Sequence, residues 1–335
     1  MKILVTGVAG FIGMHACIEL LRKNNQVIGI DNFNDYYDPS LKKDRIKNIK
    51  DTKDTKDTKD FIFINCDITN EKKISEIFLN NQIDIVLHLA AQAGVRYSFK
   101  NPHTYIENNI KGFLNILECC RKYNIKRLVY ASSSSVYGSS SDLPFNEIDN
   151  CNQPLNLYAV TKKSNELMAH AYSSLYDMRC IGIRFFTAYG PWGRPDMALS
   201  IFASSIMKDK PINVYNKGNM IRDFTYIDDI ISGTIKIIEE IDNIISRDQN
   251  KVSHDVFNLG NGNSATLLDY IKCLEVSLKK KAILNLLPMQ KGEMIETKAN
   301  ISKIRNYIDY SSTTGIDKGV EKFTSWYLNY HKKEI

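Results

Sequence analysis

A short apolar run, Ile3–Thr6, opens directly into Gly7-Val8-Ala9-Gly10-Phe11-Ile12-Gly13, and a helical pattern starts near Phe11. Strand, glycine turn and helix in this order constrain the fold more than any other stretch. Glycine permits the tight turn, a close backbone approach to a pyrophosphate and tight helix–strand packing, while the helix N-terminus faces the phosphates. The alternation continues downstream. Apolar runs at Val27–Ile30, Phe61–Asn65, Ile85–Leu89, Leu128–Ala131 and Cys180–Arg184 predict strands, and helices are expected to start near Lys72, Pro102 and Leu157. The runs are continuously apolar, as in strands covered on both faces. The pattern therefore predicts an α/β fold built on a Rossmann-type, doubly wound parallel sheet.

Beyond Arg184 the pattern loosens. Residues 187–221 hold a loop rich in Pro, Gly and aromatic residues, a helix expected over Leu199–Lys208 and a short strand over Asn213–Tyr215. Arg222–Glu240 reads as a strand-to-helix return to the sheet, and Val256–Leu259 as a further strand. Helices are expected over Leu267–Lys279 and Lys318–Tyr330, and a strand over Ile283–Leu287. The organisation that fits is a dinucleotide-binding domain of residues 1–186 and 222–262, with a smaller discontinuous α/β substrate domain of 187–221 and 263–335. Asp51-Thr52-Lys53 repeats three times through Lys59, a polar, charge-balanced tract expected to form a solvated, disordered loop extension.

Composition narrows the function. The net charge of +6 is spread over many segments, which argues against a nucleic-acid partner and weakly favours an anionic substrate. The seven cysteines are odd in number and form no C-x-x-C, so free thiols in a reducing compartment are expected. The six histidines show no H-x-x-x-H or H-E-x-x-H spacing, so no metal site is expected. Residues 3–5 are too short an apolar run for a signal peptide, and none approaches the roughly 20 residues that span a bilayer. A cytoplasmic protein without a membrane partner is expected.

The chemistry concentrates in Tyr158-Ala159-Val160-Thr161-Lys162, read with Ser132-Ser133-Ser134-Ser135-Val136-Tyr137-Gly138 before it. A tyrosine four residues before a lysine puts phenol and ammonium on one helix face. A nearby cation favours phenolate, so a group with an ordinary pKa of about 10 becomes a usable base. Asp31 ends the second strand, 18 residues past Gly13, where a carboxylate accepts hydrogen bonds from an adenosine ribose and repels a 2′-phosphate. This favours NAD over NADP. The candidate cofactor residues are Gly7, Gly10, Phe11, Ile12, Gly13, Asp31, Asn32, Asp67, Ile68, Leu89, Ala90, Ala91, Tyr158 and Lys162. For Asp67, flanking the adenine and capping a helix both stand open.

These motifs identify a resemblance. The chain resembles the extended short-chain dehydrogenase/reductase family over nearly its whole length, through its T-G-x-x-G-x-x-G loop, Ser-rich strand end and Y-x-x-x-K. Within that family it is most similar to the UDP-glucuronate 4-epimerases, through Ala90-Ala91-Gln92-Ala93-Gly94-Val95-Arg96-Tyr97-Ser98 and the longer Arg184-Phe185-Phe186-Thr187-Ala188-Tyr189-Gly190-Pro191-Trp192-Gly193-Arg194-Pro195-Asp196-Met197. The resemblance implies tightly held NAD and a UDP-sugar inverted at C4 through a 4-keto intermediate. Tyr158 would be the base, Lys162 would hold the nicotinamide ribose and lower the Tyr158 pKa, and Ser133 would help pass the proton. Ser133, Ser134, Ser135 and Thr187, with Arg194, would fix the uronate carboxylate near the carbonyl plane. Decarboxylation needs the C5–carboxylate bond aligned with the carbonyl π system, and that pose denies it.

Relatives that dehydrate carry Asp-Glu before Val-Tyr-Gly, and those that decarboxylate carry Glu; here both positions are serine (Ser134, Ser135). UDP-glucuronate decarboxylase, another UDP-sugar 4-epimerase and a non-catalytic NAD-binding sensor remain the alternatives. Arg96 and Arg222 are expected to bind substrate, Arg222 at the diphosphate or the ribose. For Tyr215 against uracil, and Glu293 against uridine ribose, binding and structural roles stand level, because Lys291-Gly292-Glu293 replaces a P-G-D common in relatives. The helices near Pro102–Tyr123 and Leu157–Tyr176 match those that relatives use to form homodimers.

Overall fold

The computed structural model describes residues 1–52, 60–139, 142–247 and 252–332. Residues 53–59 of the Asp-Thr-Lys repeat lie outside the described residues. Seven parallel strands form the central sheet: β1 (Lys2–Thr6), β2 (Gln26–Asp31), β3 (Phe61–Asn65), β4 (Ile85–His88), β5 (Arg127–Ser133), β6 (Arg179–Phe185) and β7 (His254–Leu259). Their order is β7-β6-β5-β4-β1-β2-β3. The chain grows outward from β1 to β3, then crosses back to place β4 on the other side of β1. The strand order reverses there, and a crevice opens beyond the carboxyl ends of β1 and β4.

Side chains alternate along each strand, so each face feeds its own apolar layer. Ile3 and Val5 of β1 join a core with Met14, Leu20 and Leu21 of helix Phe11–Arg22 and Ile230, Ile237 and Ile241 of helix Ile227–Arg247. Leu4 joins the opposite core with Ile74 and Phe78 of helix Glu71–Asn80, Phe113 and Ile116 of helix Gly112–Lys122, and Ala169 of helix Leu157–Tyr176. Both faces are covered, which explains why the strands read as unbroken apolar runs.

Four features depart from the sequence reading. Helix Pro39–Asp51 was not expected, because its buried Leu41, Arg45, Ile46 and Ile49 are interleaved with charge; the Asp38 carboxylate caps it and Pro39 starts it. Helices Val95–Lys100 and Ser302–Ile308 are also additional. The helix expected from Pro102 is interrupted by a π-helical segment, Ile106–Lys111. Strand Phe224–Tyr226 does not return to the central sheet. It pairs with Thr187–Tyr189, because β7 already occupies the edge of β6. Two more small sheets join Ile221–Arg222 to Ala265–Thr266 and Ile212–Val214 to Leu284–Leu286, so segments near 187–226 and 265–286 are knitted together above the crevice.

Candidate active site

A cleft of about 800 Å³ runs from the β1 glycine turn to Tyr215 and Glu293. Its first end is built from backbone. Gly7 has φ +71°, and a Cβ there would lie 2.8 Å from the Ala90 nitrogen; one on Gly13 would lie 2.1 Å from the Gly7 oxygen. Only glycine allows this packing. Helix Phe11–Arg22 begins at Gly10 without a side-chain cap, so among the described residues its first N–H groups are left to face the cleft. An uncapped helix end beside a turn stripped of side chains fits a dinucleotide pyrophosphate.

Asp31 ends β2, where its carboxylate accepts from Ala9 N at 3.1 Å and Phe33 N at 2.9 Å, and burial pushes its pKa up. Asn32, Ile68, Leu89, Ala90 and Ala91 line the same end. Asp67 does not: its carboxylate accepts from Asn32 Nδ2 at 2.7 Å and from the Thr69 N and Oγ1 at 2.8 and 2.7 Å. Lys42, absent from the sequence reading, lines the wall and donates to the Asn34 O and Oδ1 at 2.7 and 2.6 Å.

Tyr158 stands in the first turn of helix Leu157–Tyr176, which Asn156 caps through Ala159 N at 2.9 Å. Burial raises the phenol pKa, while the neighbouring Ser133 hydroxyl and the positive charge of Arg194 draw it down. The downward pull expected from Lys162 is supplied instead by these two groups. Lys162 Nζ donates to the Ala131 O of β5 at 2.9 Å, and burial lowers its own pKa to about 8. Ser133 Oγ accepts from Ser135 N and lies 3.2 Å from Ser135 Oγ. Beneath them Ser132 Oγ donates to Glu166 at 2.7 Å, and Arg184 grips the same carboxylate with two bonds of 2.8 and 2.9 Å.

At the far end Thr187, Arg194, Arg96, Tyr215, Arg222 and Glu293 all face the cleft. Arg194 forms a bidentate pair with Asp196 at 2.9 and 2.6 Å. Glu293 lies between Arg96 and Arg222, 3.4 Å from each, and the Arg96 guanidinium sits 5.0 Å over the Tyr215 ring. Burial lowers the pKa of Arg222, opposed by Glu293. Of the residues singled out from sequence, all but Asp67 line this one cleft.

Sequence reasoning missed residues in the cleft wall and behind it. Asn109, in the π-helical segment, accepts from Gln92 N at 2.8 Å and donates to the Gln92 O and Thr161 Oγ1, both at 3.0 Å. Tyr36 donates to Asp196 at 2.9 Å. The only local signal for Asn109 was a polar residue on an otherwise apolar helix face; Asp196 stood inside the Arg184–Met197 motif without a role, and Tyr36, far from it in sequence, carried no signal. Among the described residues no group of three or more His, Cys, Asp or Glu is arranged to hold a metal ion.

The model of a family described as NAD dependent epimerase/dehydratase matches residues 3–260. The chain is 47% identical to Protein CapI of Staphylococcus aureus, over 99% of this chain and 100% of that protein. It is 43% identical to UDP-glucuronate 4-epimerase 4 of Arabidopsis thaliana, over 98% of this chain and 76% of that protein. The crystal structure of UDP-glucuronic acid 4-epimerase from Bacillus cereus, in complex with UDP-glucuronic acid and NAD, is similar with a TM-score of 0.88 and 36% identity, covering 98% of this chain and 100% of that one.

Proposed function

Because this chain belongs to the NAD dependent epimerase/dehydratase family, we infer that it is an enzyme whose cleft holds NAD and interconverts UDP-glucuronate and UDP-galacturonate by inverting C4. The observation that carries this choice is the β5 end beside Tyr158. It offers Ser133, Ser134 and Ser135 and no carboxylate, with Arg194 lining the same cleft. A dehydratase or decarboxylase needs an acid there.

Bound there, NAD would supply a reversible hydride acceptor for C4, with no net redox change. The chain's own groups do the rest. Tyr158 Oη, as phenolate, takes the C4 hydroxyl proton with Ser133 beside it as the relay, and keeps it while C4 is a ketone. Lys162 would hold the nicotinamide ribose and Asp31 the adenosine ribose. With C4 oxidised the sugar is a β-keto acid. Ser133, Ser134, Ser135, Thr187 and Arg194 hold its carboxylate near the carbonyl plane and away from the overlap that CO2 loss requires. The sugar turns over, and Tyr158 gives the proton back on the opposite face. Arg96 and Arg222 face the diphosphate and Tyr215 the uracil; the cation pair now held by Glu293 supports that reading.

On this reading residues 1–186 and 222–262 bind NAD and 187–221 and 263–335 bind the UDP-sugar. Exposed apolar residues on helices Gly112–Lys122 and Leu157–Tyr176 support a homodimer. The seven cysteines are all free, which supports a reducing, cytoplasmic location; among the described residues no helix is long and apolar enough to cross a membrane. The test is purified protein given UDP-glucuronate and no added NAD. Nuclear magnetic resonance is expected to show UDP-galacturonate, and its absence overturns the reading.

A further inference from the structure

Arg194 spends only part of its hydrogen-bonding capacity on Asp196. The pair is side-on: Nε meets Oδ1 at 2.9 Å and Nη2 meets Oδ2 at 2.6 Å. A guanidinium carries five N–H donors in a rigid fork. Nη1 and the outer proton of Nη2 therefore remain, and among the described residues Nη1 has no hydrogen-bond partner. They form an end-on fork, the shape that a second carboxylate fits.

Asp196 is itself fixed. The Tyr36 hydroxyl, from the loop after β2, donates to Asp196 Oδ2 at 2.9 Å, and the Arg194 guanidinium lies 6.0 Å from the Tyr36 ring centroid. A Cβ on Gly94 would come within 2.8 Å of the Tyr36 hydroxyl and 3.5 Å of Arg194 Nη2, so this backbone closes over both. Tyr36, Gly94, Arg194 and Asp196 all line the cleft that contains Tyr158. Arg194 holds the Asp196 carboxyl below the usual carboxylate range, and burial, with that carboxylate beside it, pushes the Tyr36 phenol up to about 12. Hydroxyl donor, carboxylate and guanidinium thus keep these charge states through the neutral pH range.

We propose that Asp196 and Tyr36 are positioning residues for Arg194, clamping one edge of its guanidinium so that the other edge is aimed at the uronate carboxylate of the sugar. The proposal rests on the C4-epimerase reading above and assigns it two residues of the cleft wall that act through Arg194. Its consequence is a product ratio. When hydride leaves C4 and the C4–OH becomes a carbonyl, a loosely held carboxylate can rotate out of the carbonyl plane. The C5–carboxylate bond then breaks, CO2 departs, and its electron pair forms the C4–C5 enolate, which takes a proton at C5. The product is a UDP-4-keto-pentose, and the hydride stays behind as NADH. A rigid Arg194 suppresses that branch.

The test compares Asp196→Asn, Tyr36→Phe and wild type on UDP-glucuronate, following UDP-galacturonate, CO2 and absorbance at the NADH band. Asp196→Asn is expected to lower kcat for epimerisation about 10- to 100-fold and to raise CO2 and NADH formed per galacturonate. Tyr36→Phe moves both in the same direction by a smaller factor. In an Arg194→Lys background, Asp196→Asn leaves the ratio unmoved, because lysine has no fork to orient. Matching circular dichroism and NAD content separate this from misfolding, and Tyr36→Phe stands as the gentler probe should Asp196→Asn fail to fold. An active wild type with an unchanged product ratio in the folded variants overturns the positioning role alone. A wild type that makes no UDP-galacturonate overturns the epimerase reading and this assignment with it.

Discussion

Tyr158 and Lys162 are buried together for reasons that oppose stability. Burial raises the phenol pKa and lowers the ammonium to about 8, so each is pressed toward its neutral form. Removing the phenol oxygen tests the base directly. Tyr158→Phe is expected to lower turnover by about 10²- to 10⁴-fold while NAD stays bound; near wild-type kcat would refute the assignment. Lys162 makes a thermodynamic prediction of definite sign. Its pKa falls from 10.5 to about 8 on folding. Below about pH 8 both states carry the proton and the folded state bears the whole penalty; between about 8 and 10.5 the unfolded chain binds more protons, so stability rises with pH. Lys162→Met removes a penalty of about 3 kcal/mol but leaves the Ala131 carbonyl without its donor, for a net gain of about 1–2 kcal/mol near neutrality. Denaturant titrations of nucleotide-free protein at pH 7 and 10 are expected to show the variant more stable at pH 7, inactive, and lacking its share of the upward slope. These two residues were legible because a four-residue spacing fixes one helix face. Asp196, Tyr36 and Asn109 were not, since each acts through a partner that only the fold brings near.

Among the elements, β6 and helix Leu157–Tyr176 are bolted together under the site. Arg184 and Glu166 are almost fully buried, and two hydrogen bonds join them. Ser132 and Lys163 complete the carboxylate's partners. Breaking a buried pair from one side leaves an uncompensated charge. Glu166→Ala is therefore expected to cost about 3–5 kcal/mol, read as a lower urea midpoint, and to lower kcat because β5 and Tyr158 lose their common anchor. Arg184 holds the Glu166 carboxyl below its ordinary range, so this contribution is present above the unfolded pKa of 4.5 and disappears as pH falls through the lower folded value. An equal midpoint for variant and wild type at pH 7 would count against the bolt. Strands showed in the sequence because burial on both faces writes itself as apolar runs. Helix Pro39–Asp51 did not, since Lys42 and Arg45 occupy its buried face and reach backbone carbonyls instead of apolar neighbours. The π-helical insertion was equally silent, because it changes the backbone ladder without changing the apolar period.

At the scale of the whole molecule, Asp223 joins the segments the sequence divided between two domains. Its buried carboxylate accepts from the Asn261, Gly262 and Ala299 nitrogens at 2.7, 2.9 and 3.1 Å. One helix carries its exposed apolar residues in register. Val160, Leu167 and Leu175 are exposed along helix Leu157–Tyr176, with Leu167 at 62% and Leu175 at 70%. Their spacing of seven and eight residues keeps them in one stripe. Ile106 and Leu114 continue the apolar surface on the neighbouring broken helix. Isolated exposed leucines need no explanation, but two adjacent helices carrying aligned stripes match a self-complementary interface of four helices. Light scattering is therefore expected to give twice the 38.3 kDa of one chain. Leu167→Glu combined with Leu175→Glu places like charges on the stripe of each protomer, and around a two-fold axis they face each other. That variant is expected to run as a single chain with its NAD content intact, because neither side chain lines the cleft. A wild type that is already monomeric at micromolar concentration would refute the interface. A variant that stays dimeric would move it to another face of the molecule.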